Sequence, residues 1–299
     1  MIDRRRFVQF GLWAAAASGC SRRPAVRAPG RCAEPTPEDL VGPFLPRHYQ
    51  GDADLTRVPG QAARAQGQPI QIRGRVTDDR CRPLAGARLE VWQANTFGRY
   101  ADDRDHSGRQ LDPGFQGSAL VTAGDDGRFA ILTVKPGSYQ GTATLRAPHV
   151  HFRITGGGCH DDITQMYFAG ESLNATDENL KLLAEPERRR LIVPASGNQD
   201  GAALHGFDVV LRRVEPSVDL APYAGHYVIE NPQRPIPVTL TVEGGKLYAD
   251  SPPLPKVELR PLSASRFRLK AYNVVLEFDA GGFTIIDQAT GTRTRAPRR

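Results

Sequence analysis

The 299-residue chain contains few of the residues from which local metal clusters and redox motifs are built, with four cysteines and seven histidines. No cysteines form a C-x-x-C pair, which excludes a sequence-local zinc cluster and a thioredoxin-type motif. The formal net charge is +6, but the basic residues are scattered, so we expect no nucleic-acid partner. The arginine-rich end, RTRAPRR at 293–299, is predicted to be a solvated terminus rather than a binding arm.

Long apolar runs are missing as well. In residues 1–20, MIDRRRFVQFGLWAAAASGC, the apolar run is too short to span a bilayer, but its charged start and small-residue end are typical of an export signal. DRRRFVQ resembles a twin-arginine signal, and ASGC resembles a lipoprotein box in which Cys20 would be lipidated. We therefore expect an exported protein that is either periplasmic or anchored to the membrane through Cys20. The alternative for Cys20 is an ordinary small residue before a peptidase site.

Export determines how the remaining cysteines are interpreted. Cys32, Cys81 and Cys159 would lie in an oxidising compartment, where disulfides persist. Three is an odd number, so one cysteine is expected to stay unpaired. The sequence does not identify which one.

Regular structure is predicted to begin near Pro69, after a proline-, glycine- and arginine-rich linker and extended lead-in over residues 21–68. Strand-like segments follow at short intervals and are separated by turn clusters such as GDDG and KPGS, which predicts an antiparallel β-sandwich over residues 69–215. The segments are PIQIRGRV, ARLEVWQA, SALVTA, RFAILTV, HVHFRIT, ITQMYFAG and FDVVLRR. Residues 175–191 are predicted to form a helix that is broken by Pro186.

A second unit is predicted over residues 216–299. Six further strand-like segments recur there at roughly ten-residue intervals, which indicates a small up-and-down β domain and makes the whole chain all-β. These segments are VTLTV, GKLYAD, VELRPL, RFRLKA, VVLEF and GFTIID. LAPYAGHYVIE and FDAGGFTI resemble the β-rich C-terminal appendage of some serine β-lactamase-like hydrolases. Apart from the isolated His226 the unit has no clustered metal ligands or nucleophiles, so we interpret it as a packing, docking or oligomerisation module.

Two histidines stand one residue apart in the segment RAPHVHF. In a strand, residues i and i+2 point to the same face, so His149 and His151 share one face and Val150, Phe152 and Ile154 turn to the core. Two adjacent imidazoles suit a metal ion, but the spacing of a bare H-x-H by itself favours two solvated or hydrogen-bonded histidines. The metal interpretation therefore needs more ligands.

Tyrosines are the next candidates. Tyr139 follows a strand and a proline-glycine turn in TVKPGSYQG, and Tyr100 ends the segment ANTFGRY. Either one alone is typical of a rim residue with its hydroxyl in water. His160, after the GGGC loop, is predicted to be a solvated loop histidine. Asp161 or Asp162 would complete a zinc-hydrolase site with the H-x-H pair, but that interpretation leaves both tyrosines unexplained.

Six residues taken together resemble the site of the intradiol ring-cleavage dioxygenases, the family of protocatechuate 3,4-dioxygenase and catechol 1,2-dioxygenase. They are Tyr100, Tyr139, Arg146, His149, His151 and Gln165. The resemblance covers roughly residues 35–213 and is carried by PEDLVGPFLP, GRVTDDRCRPLAGARLEVWQANTFGRY, LDPGFQGSALVTAGDDGRFAILTVKPGSY and RAPHVHFRITG.

The resemblance implies one mononuclear non-haem Fe(III) ion, whose ligands would be Tyr100, Tyr139, His149 and His151. These residue types suit it, because a ferric ion favours anionic oxygen and can ionise a phenol whose ordinary pKa is about 10. The implied reaction cleaves a small aromatic diol with O2 between its two hydroxylated carbons and yields a cis,cis-muconate-type diacid. The substrate would displace Tyr139.

The resemblance also implies roles for the two remaining site residues. Arg146 would stabilise the negative charge that develops on the ring, and Gln165 would line the pocket. Gln140 and Gly141 follow Tyr139 where protocatechuate enzymes have proline and tryptophan, so the resemblance does not identify the substrate. It leaves the oligomeric state open too.

A different class of protein is also compatible with part of the sequence. GRVTDDRCRPLAGARLEVWQ resembles transthyretin-like and carboxypeptidase-regulatory β-sandwich modules, which need no metal. The alternative is therefore an exported binding module without catalysis.

Overall fold

The computed structural model describes residues 34–49, 52–214, 218–252 and 254–299, so the predicted signal at 1–20, with Cys20, lies outside the described residues. No helix in these ranges is long and apolar enough to cross a bilayer.

Twelve strands lie in the first part of the described chain. They are β1 Pro69–Asp78, β2 Arg88–Trp92, β3 Ser118–Thr122, β4 Arg128–Val134, β5 Tyr139–Gln140, β6 Leu145–Arg146, β7 His149–Thr155, β8 Asp162–Phe168, β9 Ile192–Val193, β10 Ala195–Gln199, β11 Ala202–Gly206 and β12 Val209–Leu211. One sheet has the order β3-β2-β7-β8-β9, and the other has the order β10-β11-β1-β12 with β4 also paired to β1. Strands β5 and β6 form a separate two-stranded sheet.

The two larger sheets enclose one apolar core. Ile70 and Ile72 from β1 and Val150, Phe152 and Ile154 from β7 are fully buried in it. The alternation of side chains along β7 therefore sends its apolar residues into the sandwich and its two histidines to the opposite face. The predicted sandwich is confirmed, together with the assignment of these three β7 residues to the core.

The last eight strands form a single antiparallel sheet in sequential order. They are β13 Gly225–Ile229, β14 Ile236–Glu243, β15 Lys246–Ser251, β16 Leu254–Pro261, β17 Arg266–Leu269, β18 Val274–Asp279, β19 Gly282–Asp287 and β20 Arg293–Pro297. Backbone bonds from Glu230 N to Arg295 O (2.8 Å) and from Arg299 N to His226 O (2.9 Å) bring the first and last strands together. We call this nearly closed unit the C-terminal sheet.

Two sequence predictions are wrong. Residues 175–191 do not form one helix broken by Pro186. They contain a 3₁₀ turn at Leu180–Leu182 and the helix α1 at Glu185–Leu191, which places Pro186 in its first turn, where the missing N–H costs nothing. The segment RTRAPRR is not a solvated end, because five of its residues form β20 and pair with β19. Further 3₁₀ turns lie at Ser172–Ala175, Ala221–Tyr223 and Lys270–Tyr272.

Candidate active site

Four donor atoms, two of them from β7, one from β5 and one from a loop, converge on one point. Tyr100 Oη lies 3.0 Å from His151 Nε2, His149 Nε2 lies 3.0 Å from the same nitrogen, and Tyr139 Oη lies 3.4 Å from His149 Nε2. All four side chains are at most 5% exposed. The four residues thus form a polar cluster that is shielded from bulk water.

The sheet and an adjacent loop determine where these side chains point. His151 pairs with Trp92 across β2 and β7, and the two rings stack with centroids 4.7 Å apart and planes inclined by 6°. Tyr100 follows a tight turn, and its backbone N–H donates to the buried carboxylate of Asp105 at 2.8 Å. The edge of the Tyr139 ring contacts the Tyr100 ring, with centroids 5.2 Å apart.

Both imidazoles turn their Nε2 atoms towards the centre of the cluster. Nδ1 of His149 lies 2.6 Å from the carbonyl oxygen of Ala147, which can only accept, so the proton sits on Nδ1 and Nε2 is free to act as a ligand. Burial, with the charge of Arg146, lowers the pKa of His149 well below its usual value. Burial, with His149 and Arg146, does the same for the pKa of His151. Both histidines are therefore neutral.

The cluster fits a hard metal ion. Two ligands that lie about 2.1 Å from one metal ion, at right angles to each other, are about 3.0 Å apart, which is the spacing of the closest donor atoms. Burial raises the pKa values of Tyr100 and Tyr139 even with Arg146 nearby, so without a bound metal ion their phenols stay protonated. Within the described ranges no three His, Cys, Asp or Glu side chains are placed to hold a metal, so a site here depends on the tyrosines.

Arg146 is the buried cation beside the cluster. Its Nη1 donates to Tyr139 Oη at 3.3 Å, and its Nε forms an ion pair with Asp177 at 2.8 Å, with Arg146 3% and Asp177 0% exposed. Burial by itself would lower the pKa of Arg146, but the oxygens of Tyr167, Tyr139 and Asp177 raise it above its ordinary value. Arg146 thus carries a permanent positive charge, and its partners fix the orientation of its guanidinium group.

Gln165 is held entirely by protein groups. Its Oε1 accepts from Arg146 Nη2 at 2.8 Å and lies 2.9 Å from Tyr167 Oη, while its Nε2 donates to the carbonyl of Leu40 at 2.6 Å. The structure therefore brings all six sequence-predicted site residues together. The side chain of Gln165 connects the guanidinium group of Arg146 to the backbone of Leu40.

Three residues of this network were missed from the sequence. Tyr167 stands two residues after Gln165 on β8, so the alternation of a strand was a signal that could have found it. Asp177 lies in an irregular segment, and Asp39, which accepts from Tyr167 Oη at 2.9 Å, lies in the lead-in. Neither aspartate carries a local pattern that indicates its partner.

A cavity of about 230 Å³ opens on the side of Tyr100. The residues that line it include Phe44 and Trp92 together with Arg47 and His48. Of the four clustered residues, Tyr100 is the one that lines this cavity.

The other candidates lie away from the cluster. His160 is not solvated as predicted, because it pairs with Glu258 of the C-terminal sheet. Asp161 binds Lys246 at 2.6 Å, and Asp162 pairs with Ile154 at the far end of the β7–β8 hairpin. Neither aspartate accompanies the H-x-H pair, so the structure gives no support to the zinc-hydrolase interpretation.

Two cysteines are resolved. Cys81 is disulfide-bonded, and Cys159 is a buried free thiol.

Comparison with known proteins places the site in a family. The family model described as Dioxygenase matches residues 41–213, more than half of the chain. The chain is 35% identical to the protocatechuate 3,4-dioxygenase beta chain of Burkholderia cepacia over 198 residues, which are 62% of this chain and 84% of the relative. It is 30% identical to 6-chlorohydroxyquinol 1,2-dioxygenase of Cupriavidus pinatubonensis, over 61% of this chain and 66% of the relative.

A solved structure shares the fold. Catechol 1,2-dioxygenase of Acinetobacter radioresistens superposes with a TM-score of 0.50 at 19% identity, over 61% of this chain and 64% of that one. These matches give no support to the non-catalytic binding module. The converged tyrosines and histidines and the family match lead to one conclusion: the chain belongs to the intradiol ring-cleavage dioxygenase family.

Proposed function

We propose that the protein is a mononuclear non-haem Fe(III) enzyme that uses O2 to cleave a small catechol-type diol between its hydroxylated carbons, giving a cis,cis-muconate-type diacid. The proposal rests on four converging donor atoms, each of which lies 3.0–3.4 Å from its nearest neighbour. These atoms are Tyr100 Oη, Tyr139 Oη, His149 Nε2 and His151 Nε2. These four residues would hold the iron. When bound, the ferric ion supplies the charge that ionises both phenols and makes the diol reactive towards O2.

Tyr139 would receive a proton from the substrate. Its Oη has the longest contact within the cluster, 3.4 Å, and it alone of the four donors is hydrogen-bonded to Arg146. A phenolate at this position can take up the proton of a substrate hydroxyl, and Arg146 remains beside the oxygen throughout. Tyr139 is therefore our candidate for the ligand that the diol displaces.

Arg146 would stabilise the negative charge on the ring. Its guanidinium is fixed by Asp177, Gln165 and Tyr167, so it does not have to reorient when charge develops. A preorganised cation in a buried site stabilises such charge more strongly than the same cation in water.

The substrate class is supported by the relatives and by the cavity. The two relatives described above are named for protocatechuate and for 6-chlorohydroxyquinol, both single-ring aromatic compounds with two adjacent hydroxyl groups. The cavity beside Tyr100 has apolar walls in Phe44 and Trp92, which suit the face of one aromatic ring. We propose a single-ring catechol.

The visible absorption spectrum of the iron-loaded protein tests the proposal. We expect a red-brown tyrosinate-to-Fe(III) band that shifts when catechol is added without O2, and a diacid product when O2 is admitted. Tyr100→Phe should weaken the band, whereas Tyr223→Phe, in the 3₁₀ turn before β13, is the matched control and should leave it unchanged. A folded, iron-loaded protein that stays colourless would overturn the proposal.

We also propose that the protein works outside the cytoplasm. The disulfide at Cys81 supports this, because such bonds persist in oxidising compartments. Fractionation of cells that express the full chain would test it, and Cys20→Ser should release the protein from the membrane if Cys20 is lipidated.

A further inference from the structure

One wall of the candidate active site is an irregular stretch of chain, residues 38–45, which we call the wall segment. The carbonyl of Leu40 accepts from Gln165 at 2.6 Å, and the ring of Phe44 lies 4.7 Å from that of Tyr100. Gly42 has φ +73°, and a Cβ added there would lie 3.0 Å from His151 Cε1. The wall segment thus touches two of the four proposed iron ligands.

The C-terminal sheet holds this segment in place. The backbone N–H of Val41 donates to the carbonyl of Ala271 at 3.1 Å. The carboxylate of Glu38 accepts from Arg260 and, at 3.0 Å, from Arg268. Ala271 and Val41 are buried in the same apolar cluster as Tyr100 and Tyr139. A few contacts therefore connect strands β16 and β17 and the turn after them to the iron site.

The wall segment depends on such contacts because it has no regular secondary structure of its own. Each residue fixed in one backbone conformation costs roughly 1–2 kcal/mol of conformational entropy, which a strand or helix offsets with its own hydrogen bonds. Glu38 is 17% and Arg260 14% exposed, so loss of Arg260 leaves a largely buried carboxylate with the more exposed Arg268 as its remaining partner, and loss of Glu38 removes the carboxylate that pairs with the largely buried Arg260. The wall segment would then shift, and Gly42 would move away from His151.

We propose that the C-terminal sheet positions the wall of the iron site, with Glu38 and Arg260 as positioning residues of the ring-cleavage reaction. The assignment rests on the proposed function for the identity of the site. It gives this unit a role in the activity of the neighbouring domain, in addition to packing against it.

The test compares two arginines of the same sheet. Arg260→Met breaks the pair with Glu38, whereas the control Arg295→Met breaks an exposed pair with Asp279 (2.7 Å) that touches no part of the wall segment. Because a 1 Å misplacement near a reacting centre costs about 100-fold, we expect Arg260→Met to lower kcat/KM for catechol about ten-fold and to alter the catechol-induced shift of the visible band. Arg260→Lys should recover most of the loss, and Arg295→Met should match the parent.

Arg260 also donates to the carbonyl of Asp161, so Glu38→Gln serves as the second variant. It keeps the shape of the side chain and removes its charge, and it should give the same defect without further loss when combined with Arg260→Met. Glu38→Gln also decides the question if Arg260→Met does not fold. Parent-like kcat/KM and spectra in folded Glu38→Gln would overturn the proposal.

Amide hydrogen exchange separates this proposal from the proposed function. Peptides that cover the wall segment should lose protection in Arg260→Met and in Glu38→Gln, but not in Arg295→Met, whether or not the protein cleaves catechol. A parent protein that is inactive but shows this exchange pattern would refute only the proposed function. An active parent with unchanged protection in both variants would refute only the positioning role.

Discussion

Replacement of Asp177 by asparagine should destabilise the protein strongly, although the side chain keeps its size. The carboxylate accepts four hydrogen bonds, from Arg146 Nε and Ala147 N at 2.8 Å each, from Asn179 N at 3.0 Å and from Leu180 N at 3.1 Å. An asparagine offers one acceptor oxygen and points an NH2 group at donors that have no other partner. It also removes the counter-ion of the buried Arg146.

The expected magnitude follows from burial. Arg146 is 3% and Asp177 0% exposed, and loss of one partner of such a pair costs about 3–5 kcal/mol. Two donors left unsatisfied at about 1–3 kcal/mol each lead to the same range. A native domain is stable by only about 5–15 kcal/mol, so the change should be large in any unfolding assay.

Urea unfolding provides the assay. Trp92 is the only tryptophan after residue 20, and its indole stacks on His151, so its fluorescence reports on the site region. We expect a large fall in the midpoint for Asp177→Asn with an unchanged slope. The matched control is Asp126→Asn, which removes an exposed carboxylate paired with Arg128 and should leave the midpoint unchanged. Equal midpoints for the two variants would show that the buried pair does not stabilise the fold as reasoned.

Three further predictions concern single residues. Tyr139→Phe and His149→Ala should each abolish catechol cleavage in a folded protein, measured as product formation, and full activity in either variant would refute that ligand assignment. Gly42→Ala should lower kcat/KM for catechol, because the new methyl group would lie 3.0 Å from His151 Cε1 and alanine disfavours the backbone angle φ +73° at this position. Parent-like kinetics would show that the wall segment has room to shift. Burial raises the pKa of Cys159 to about 11, so its thiolate fraction at pH 8 is about 0.1%. A maleimide should therefore label Cys159 slowly at pH 8, and the labelling rate should rise as the pH approaches 11. Rapid labelling of the folded protein at pH 8 would contradict this prediction.

Much of the sandwich could be predicted from the sequence because strand alternation is a local property. The apolar residues of β7 face the core as expected, and the H-x-H spacing puts His149 and His151 on the opposite face. The prediction failed where local patterns compete. Pro186 was taken as a break although it starts α1, and the arginines of β20 concealed a strand whose pairing partners lie elsewhere in the sheet.

The residues of the candidate active site were also only partly predictable from the sequence. The six residues that resemble the family site stand in recognisable segments, so they could be named before their geometry was known. Asp177, Asp39 and the pair of Glu38 with Arg260 could not, because each contact joins residues from 31 to 222 positions apart. A carboxylate in an irregular segment has no sequence pattern that distinguishes a buried partner from a solvated one.

By itself, the amino-acid sequence determined the all-β class, the face that carries the two histidines and the donor types that a ferric site needs. These depend on alternation along a strand and on the chemistry of each side chain. Only the tertiary structure decided that two tyrosines and two histidines meet within hydrogen-bonding distance, that Arg146 is held by Asp177, and that the C-terminal sheet touches the wall of the site. Those features arise when distant segments pack together, because burial and hydrogen-bond pairing are properties of the whole fold.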